Sequence, residues 1–153
     1  MSEHRIDYAA FKPGLDAMFR LNKAVHASGL EPSLIELVNM RVSQINECAF
    51  CLDMHWKDAR AKGETEQRLY GLSAWREAPY YTDRERAALE LTEAVTRLAG
   101  GRGVPDEAIA AVEPHFSSEE LGALLYAIVV INAWNRLAIS GRSVPGSYVV
   151  GAY

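Results

Sequence analysis

The stretch Glu36-Leu-Val-Asn-Met-Arg41-Val-Ser-Gln-Ile-Asn-Glu-Cys48-Ala-Phe-Cys51-Leu-Asp-Met-His55 carries the pattern that decides the fold. Its first half belongs to an amphipathic helix with Leu34, Leu37, Val38, Val42 and Ile45 on one side. Pro32 suits the first turn of that helix, where a missing N–H costs nothing. Its second half lies in a further helix over residues 47–62, with Cys48, Cys51, Leu52, His55 and Ala59 in register and Gly63 as the stop. A thioredoxin-type dithiol would sit near a βαβ pattern. Here a striped helix precedes the C-x-x-C pair, and no strand-and-crossover pattern occurs anywhere in the chain.

Working outward, helix signals continue in both directions. Residues 12–28 place Ala17, Met18, Leu21 and Val25 at helical spacing, closed by Gly29. A shorter helix is expected over residues 65–75, followed by a loop at 77–81. Thr82 and Glu85 form a capping box before a helix that aligns Ala87, Ala88, Leu91, Val95 and Leu98. Residues 100–103 break the chain, and Pro105 opens a short helix that Pro114 ends. Ser117 and Glu120 form a second capping box ahead of the most apolar helix, residues 118–140. Residues 143–153 read as an irregular tail; Tyr148-Val149-Val150 is too brief for a strand. The expectation is an all-α fold of about six to eight helices, one domain over residues 1–153, with the C-x-x-C at a helix start.

Composition narrows the function classes. The net charge of −4 and the lack of a Lys/Arg cluster weigh against a nucleic-acid surface, which needs concentrated positive charge to displace counterions. The N-terminal Met-Ser-Glu-His-Arg has no apolar stretch of signal-peptide length, so a cytoplasmic protein is expected. The apolar run 121–133, interrupted by Asn132 and followed by Asn135 and Arg136, is too short to span a bilayer and reads as a core helix. Two cysteines do not make a disulfide framework in a chain of this size, so their use rests on reactivity, metal binding or burial.

All three uses remain open on spacing alone. At helical spacing the two sulfurs lie close enough for a disulfide, and His55 shares their face, where an imidazole takes a thiol proton or stabilises the reactive thiolate. Zinc would take Cys48, Cys51 and His55, with His26 or His115 as a fourth ligand, although a second C-x-x-C or H-x-x-x-H pair is missing. Plain burial is the third reading. Glu36, set beside Leu37 and Val38, is expected to hold a raised pKa and to relay protons to the thiols. The alternative is that Glu36 and Arg41 pair with each other or with solvent. Trp134-Asn135-Arg136 reads as a substrate contact or, the favoured reading, as a core tryptophan with Arg136 tying helices together.

The run from Glu36 to His55 closely resembles the core motif of the AhpD-type alkylhydroperoxidases, within the carboxymuconolactone decarboxylase superfamily. The resemblance extends through Ala59-Arg60-Ala61-Lys62-Gly63-Glu64, Ala74-Trp75-Arg76, Glu85-Arg86-Ala87-Ala88-Leu89 and Ile131-Asn132-Ala133-Trp134-Asn135-Arg136. It implies an all-helical homotrimer or homohexamer that reduces hydrogen peroxide or organic hydroperoxides without a bound cofactor. It also implies regeneration by an external dithiol, in some relatives a lipoyl group on a partner protein. Glu36, Cys48, Cys51 and His55 fall on the family's proton-relay and dithiol positions. By analogy Cys51, the more accessible cysteine in relatives, attacks the peroxide and Cys48 resolves the sulfenic acid. Two positions depart from the pattern: Phe50 stands where the best-studied enzymes carry a second histidine, and Glu47 stands where many small relatives carry glycine. Two rival functions accompany the peroxidase: a thiol sensor on the same scaffold, and a lyase resembling the superfamily's namesake, whose branch lacks the C-x-x-C.

Overall fold

The computed structural model describes residues 5–152; the first four residues of the N-terminal run and Tyr153 lie outside it. Among the described residues the secondary structure is helical throughout, without a strand. The α-helices are α1 (Lys12–His26), α2 (Pro32–Ile45), α3 (Ala49–Ala61), α4 (Glu66–Tyr70), α5 (Asp83–Thr96), α6 (Asp106–Val112) and α7 (Ser118–Gly141), with short 3-10 turns at Tyr8–Ala10, Leu72–Ala74 and Leu98–Gly100.

Helix α2 is the axis of the molecule. The sequence pattern predicts a one-sided apolar stripe, yet every residue from Leu34 to Ser43 is buried. The reason is its place in the fold, because α3, α5 and α7 all pack against it. One side of α2 contributes Leu34, Ile35, Val38 and Val42 to a core shared with Ala88 and Leu91 of α5 and with Leu124, Ile128 and Ile131 of α7. The other side sends Leu37 and Met40 into a second core with Ala59, Leu69, Leu72, Trp75 and Leu89. Fully burying side chains of this size stabilises the fold by about 1.5–3 kcal/mol each, which offsets the entropy of ordering them.

Both capping boxes form as expected, Thr82 with Glu85 and Ser117 with Glu120. Three boundaries differ from the sequence expectation. The helix expected over residues 65–75 divides at Gly71 into α4 and the 3-10 turn Leu72–Ala74. Helix α5 ends at Thr96, so Leu98 leaves the stripe and is 46% exposed. Helix α3 begins at Ala49 rather than at residue 47, because Glu47 adopts a left-handed φ of 58° that no α-helix can contain.

Helix α7 spans 24 residues with a mean hydropathy of 1.5 over its most apolar window, enough by length and composition alone to cross a membrane. The run 121–133 underestimates it, since apolar character continues to Gly141. In the fold one side of this helix lies against α1, α2 and α5, with Leu124, Ala127, Ile128, Ile131 and Ala138 buried. Its other side leaves Leu125, Tyr126 and Val129 exposed.

Candidate active site at the Cys48–Cys51 pair

The corner between α2 and α3 positions the two cysteines. The left-handed residue Glu47 turns the chain, and the Cys48 N–H donates to the Ser43 carbonyl at 3.0 Å. Cys48 then becomes the N-cap of α3, its Sγ accepting the Cys51 backbone N–H at 3.4 Å. A thiolate at this position sits against the positive end of the helix dipole. Amide side chains pin the corner to α7: Asn46 donates to Asn132 at 2.9 Å and to Asn135 at 3.0 Å, and Asn135 donates to Ser43 Oγ at 3.1 Å. These groups are satisfied by one another, so the polar corner is held without an unpaired buried amide.

Cys48 and Cys51 are joined as a disulfide, with Cα atoms 5.3 Å apart. Both residues are almost wholly buried, at 1% and 2% exposure. The greater accessibility that the family analogy gives the second cysteine is therefore absent here as a difference in exposed area. What separates the pair is the cavity each borders. Cys51, with Glu36 and His55, lines one of about 510 Å³, whereas Cys48 lines a neighbouring one.

The polar end of the cavity is built mostly on one stripe of α3. Cys51, His55, Asp58 and Lys62 all line it, and Glu36 reaches it from α2. The Glu36 carboxylate accepts from His55 Nδ1 at 3.0 Å and from Lys62 Nζ at 2.6 Å. Burial would raise the Glu36 pKa, but the hydrogen bonds and positive charges of His55 and Lys62 outweigh it and pull the value down to about 2. The raised pKa expected from the sequence is thus reversed, because apolar neighbours on α2 are visible in the pattern and the two cationic partners from α3 are not. Arg41 is not the partner of Glu36 either. It reaches Glu93 through Nε at 2.8 Å and Nη2 at 2.7 Å.

An ionised Glu36 fixes the imidazole. With Nδ1–H donating to the carboxylate, Nε2 is the ring nitrogen left to exchange a proton. That Nε2 is the buried side-chain polar atom that lacks a hydrogen-bond partner among the described residues. A buried polar atom left without a partner costs about 1–3 kcal/mol, and such sites concentrate where chemistry is done.

The apolar side of the cavity is lined by Phe19, Phe50, Met54, Ile131 and Trp134. Trp134 packs against Phe19 at 5.2 Å between ring centroids and against the core beneath, and it also lines the cavity from α7. Among the described residues, Arg136 donates to the carbonyl and side chain of Asn132 within its own helix and has no hydrogen bond to another helix. The tail closes a further side. Tyr148 donates to Asp58 at 2.8 Å, and Lys57 donates to the Tyr148 carbonyl at 3.0 Å. Burial, reinforced by Asp58, pushes the Tyr148 hydroxyl up to about 12, which keeps it a donor at neutral pH.

Of the two histidines considered as extra zinc ligands, His26 lines this cavity; His115 does not and lies in the α6–α7 turn, where its carbonyl accepts from Arg84. The cysteines, joined to each other, offer no thiolate to a metal in this state. Ligand atoms of Glu36, His55 and Asp58 do fall within 4.8 Å of one another. The Lys62 ammonium on Glu36 already supplies the positive charge there, so the donor set is neutralised from within. Lys62 and Asp58 were legible in principle, since positions 51, 55, 58 and 62 share one face of α3. His26 and Tyr148 come from distant segments, and no local pattern announces their arrival.

This fold and site define an all-helical dithiol protein of the AhpD type. The chain belongs to the carboxymuconolactone decarboxylase family, whose sequence pattern matches residues 13–94. It is 44% identical over 137 residues to the uncharacterized protein YdfG of Bacillus subtilis, covering 89% of this chain and 92% of that one. A protein of unknown function from Agrobacterium tumefaciens, provisionally assigned to AhpD-type antioxidant defence, superposes with a TM-score of 0.89. It is 44% identical, over 95% of this chain and all of its own. The debrominase Bmp8 shares the fold at 19% identity and a TM-score of 0.78, over 89% of this chain and 73% of its own.

Proposed function

We propose that the protein is a dithiol peroxidase that reduces hydrogen peroxide or organic hydroperoxides through a Cys48/Cys51 disulfide cycle. The observation that carries this reading is the shared cavity of Cys51 and the Glu36–His55 pair, in which the partnerless His55 Nε2 is the proton acceptor. In the reduced protein His55 takes the Cys51 thiol proton, and the thiolate attacks the distal oxygen of ROOH. The O–O bond breaks, the alkoxide leaves as ROH with the proton from His55, and Cys51 becomes a sulfenic acid. The Cys48 thiol then attacks the Cys51 sulfur, water departs, and the disulfide closes. Two electrons have passed from the thiols to the peroxide. Glu36 acts with His55 in this scheme: it holds the imidazole ring, and its lowered pKa keeps the carboxylate ionised beside it.

The reading includes an external dithiol as reductant, carried by a small molecule or a lipoyl-bearing partner, and a cytoplasmic setting in which thiol reductants are plentiful. It also includes a homotrimer or homohexamer. The exposed apolar row Leu125, Tyr126 and Val129 on α7 supports self-association, since such a row rimmed by polar residues favours a partner surface.

Peroxide consumption with a dithiol reductant tests the proposal. Wild type should turn over, and Cys51→Ser should fall to the uncatalysed background. Cys48→Ser should stop after one event with a trappable sulfenic acid at Cys51. A wild type no faster than either variant refutes the peroxidase and favours the thiol sensor.

A further inference from the structure

Cys48 lines another cavity of about 490 Å³, between the start of α3, the end of α7 and the first residues of the tail, which borders the His55 cavity at Phe50 and Ala138. Ala49 and Phe50, Ala138 and Ile139, and Val144 and Pro145 make its walls largely apolar, with Arg142 and Ser143 as the polar members. Ile139 and Val144 are 48% and 54% exposed, so they stand at its mouth. Cys51 does not line this cavity, and Cys48 does not line the one that holds Glu36 and His55.

We infer that the reductant reaches the disulfide through this second cavity and attacks Cys48, while the oxidant meets Cys51 from the first. The ligand class is a thiol or dithiol on an apolar stem. Thiol–disulfide exchange requires the incoming thiolate to approach a sulfur in line with the bond that breaks. Attack on Cys48 drives the leaving electrons onto Cys51, whose cavity holds His55 and the Lys62 ammonium beside Glu36. A largely apolar wall suits an apolar stem.

The step balances. The reductant thiolate bonds to Cys48 Sγ, the Sγ–Sγ bond breaks, and Cys51 departs as a thiolate that gains a proton. The reductant's second thiol then attacks its own bound sulfur, forms the reductant's internal disulfide and frees Cys48, which is protonated in turn. Two electrons and two protons reach the protein, and the reductant is oxidised to a disulfide. Oxidant and reductant then reach one redox bond through two different cavities.

This inference rests on the redox reading of the dithiol but not on peroxide, because reduction starts from the disulfide form. The disulfide protein is mixed with dihydrolipoamide, quenched in acid within the first turnover, alkylated and mapped by mass spectrometry. The mixed disulfide should sit on Cys48; an adduct on Cys51, or equally on both, overturns the proposal. Independently, Val144→Trp and Ile139→Trp at the mouth should slow reduction by dihydrolipoamide about tenfold, with single-turnover oxidation by peroxide unchanged within about twofold. Phe19→Trp, in the other cavity, should leave reduction unchanged. Equal effects of the mouth variants on both half-reactions, or no effect on reduction, would sink the two-port arrangement. Cys48 adducts without any peroxide turnover would remove the peroxidase reading and leave this one standing.

Discussion

Replacing Glu36 by glutamine should remove a stabilisation that depends on pH in a defined direction. The folded protein holds the Glu36 carboxyl at about 2 against an ordinary 4.5. That displacement corresponds to about 3 kcal/mol at roughly 1.4 kcal/mol per pH unit. Lys62 is 46% exposed, so solvent screens part of its share, and about 2 kcal/mol is the expected size. Because the folded pKa is depressed, the contribution is complete above pH 4.5 and disappears as pH falls toward 2. Glu93 is also held at about 2, by Trp75, Arg76 and Arg41 against the opposing effect of burial, so it adds its own acid sensitivity to both proteins. Subtracting the two profiles therefore isolates Glu36. Urea unfolding of wild type and Glu36→Gln, at one protein concentration and at intervals from pH 7 to pH 2.5, should give curves separated by about 2 kcal/mol near neutrality that converge in acid. A gap that stays constant across that range would refute the argument, since it would show Glu36 acting through shape and not through charge.

Glu47→Gly should stabilise the fold by about 0.5–1 kcal/mol, read as a higher urea midpoint, because glycine takes the left-handed φ of 58° without the Cβ penalty. A lower midpoint would mean that the glutamate side chain matters more than its backbone. Glu93→Ala should cost about 3–5 kcal/mol. Glu93 is 3% exposed and accepts from Trp75, Arg41, Arg76 and Arg97, so its loss strands the buried Arg41. A loss below about 1 kcal/mol in thermal or urea unfolding would show that the arginines find water instead. Thr82→Ala removes one half of a capping box and should cost about 1 kcal/mol, measured the same way, with an unchanged helical signal in the folded state.

The helical class, most element boundaries and the dithiol with its histidine were legible along the chain, because each rests on spacing within one helix. Period, caps and C-x-x-C geometry are local, and Leu34 to His55 expresses all three. What surrounds a residue from other segments is not local. Helix α2 reads as one-sided, yet three helices bury it all round. Glu36 reads as a carboxyl with a raised pKa, yet His55 and Lys62 arrive from α3 and reverse the sign. Trp134 reads as core, and it does pack there, yet it also meets Phe19 of α1 and lines the cavity. The separate cavities of Cys48 and Cys51 also belong to the tertiary structure alone. Two sulfurs three residues apart share a helix face on paper, and only the packing of α7 and the tail against the α2–α3 corner gives each its own cavity.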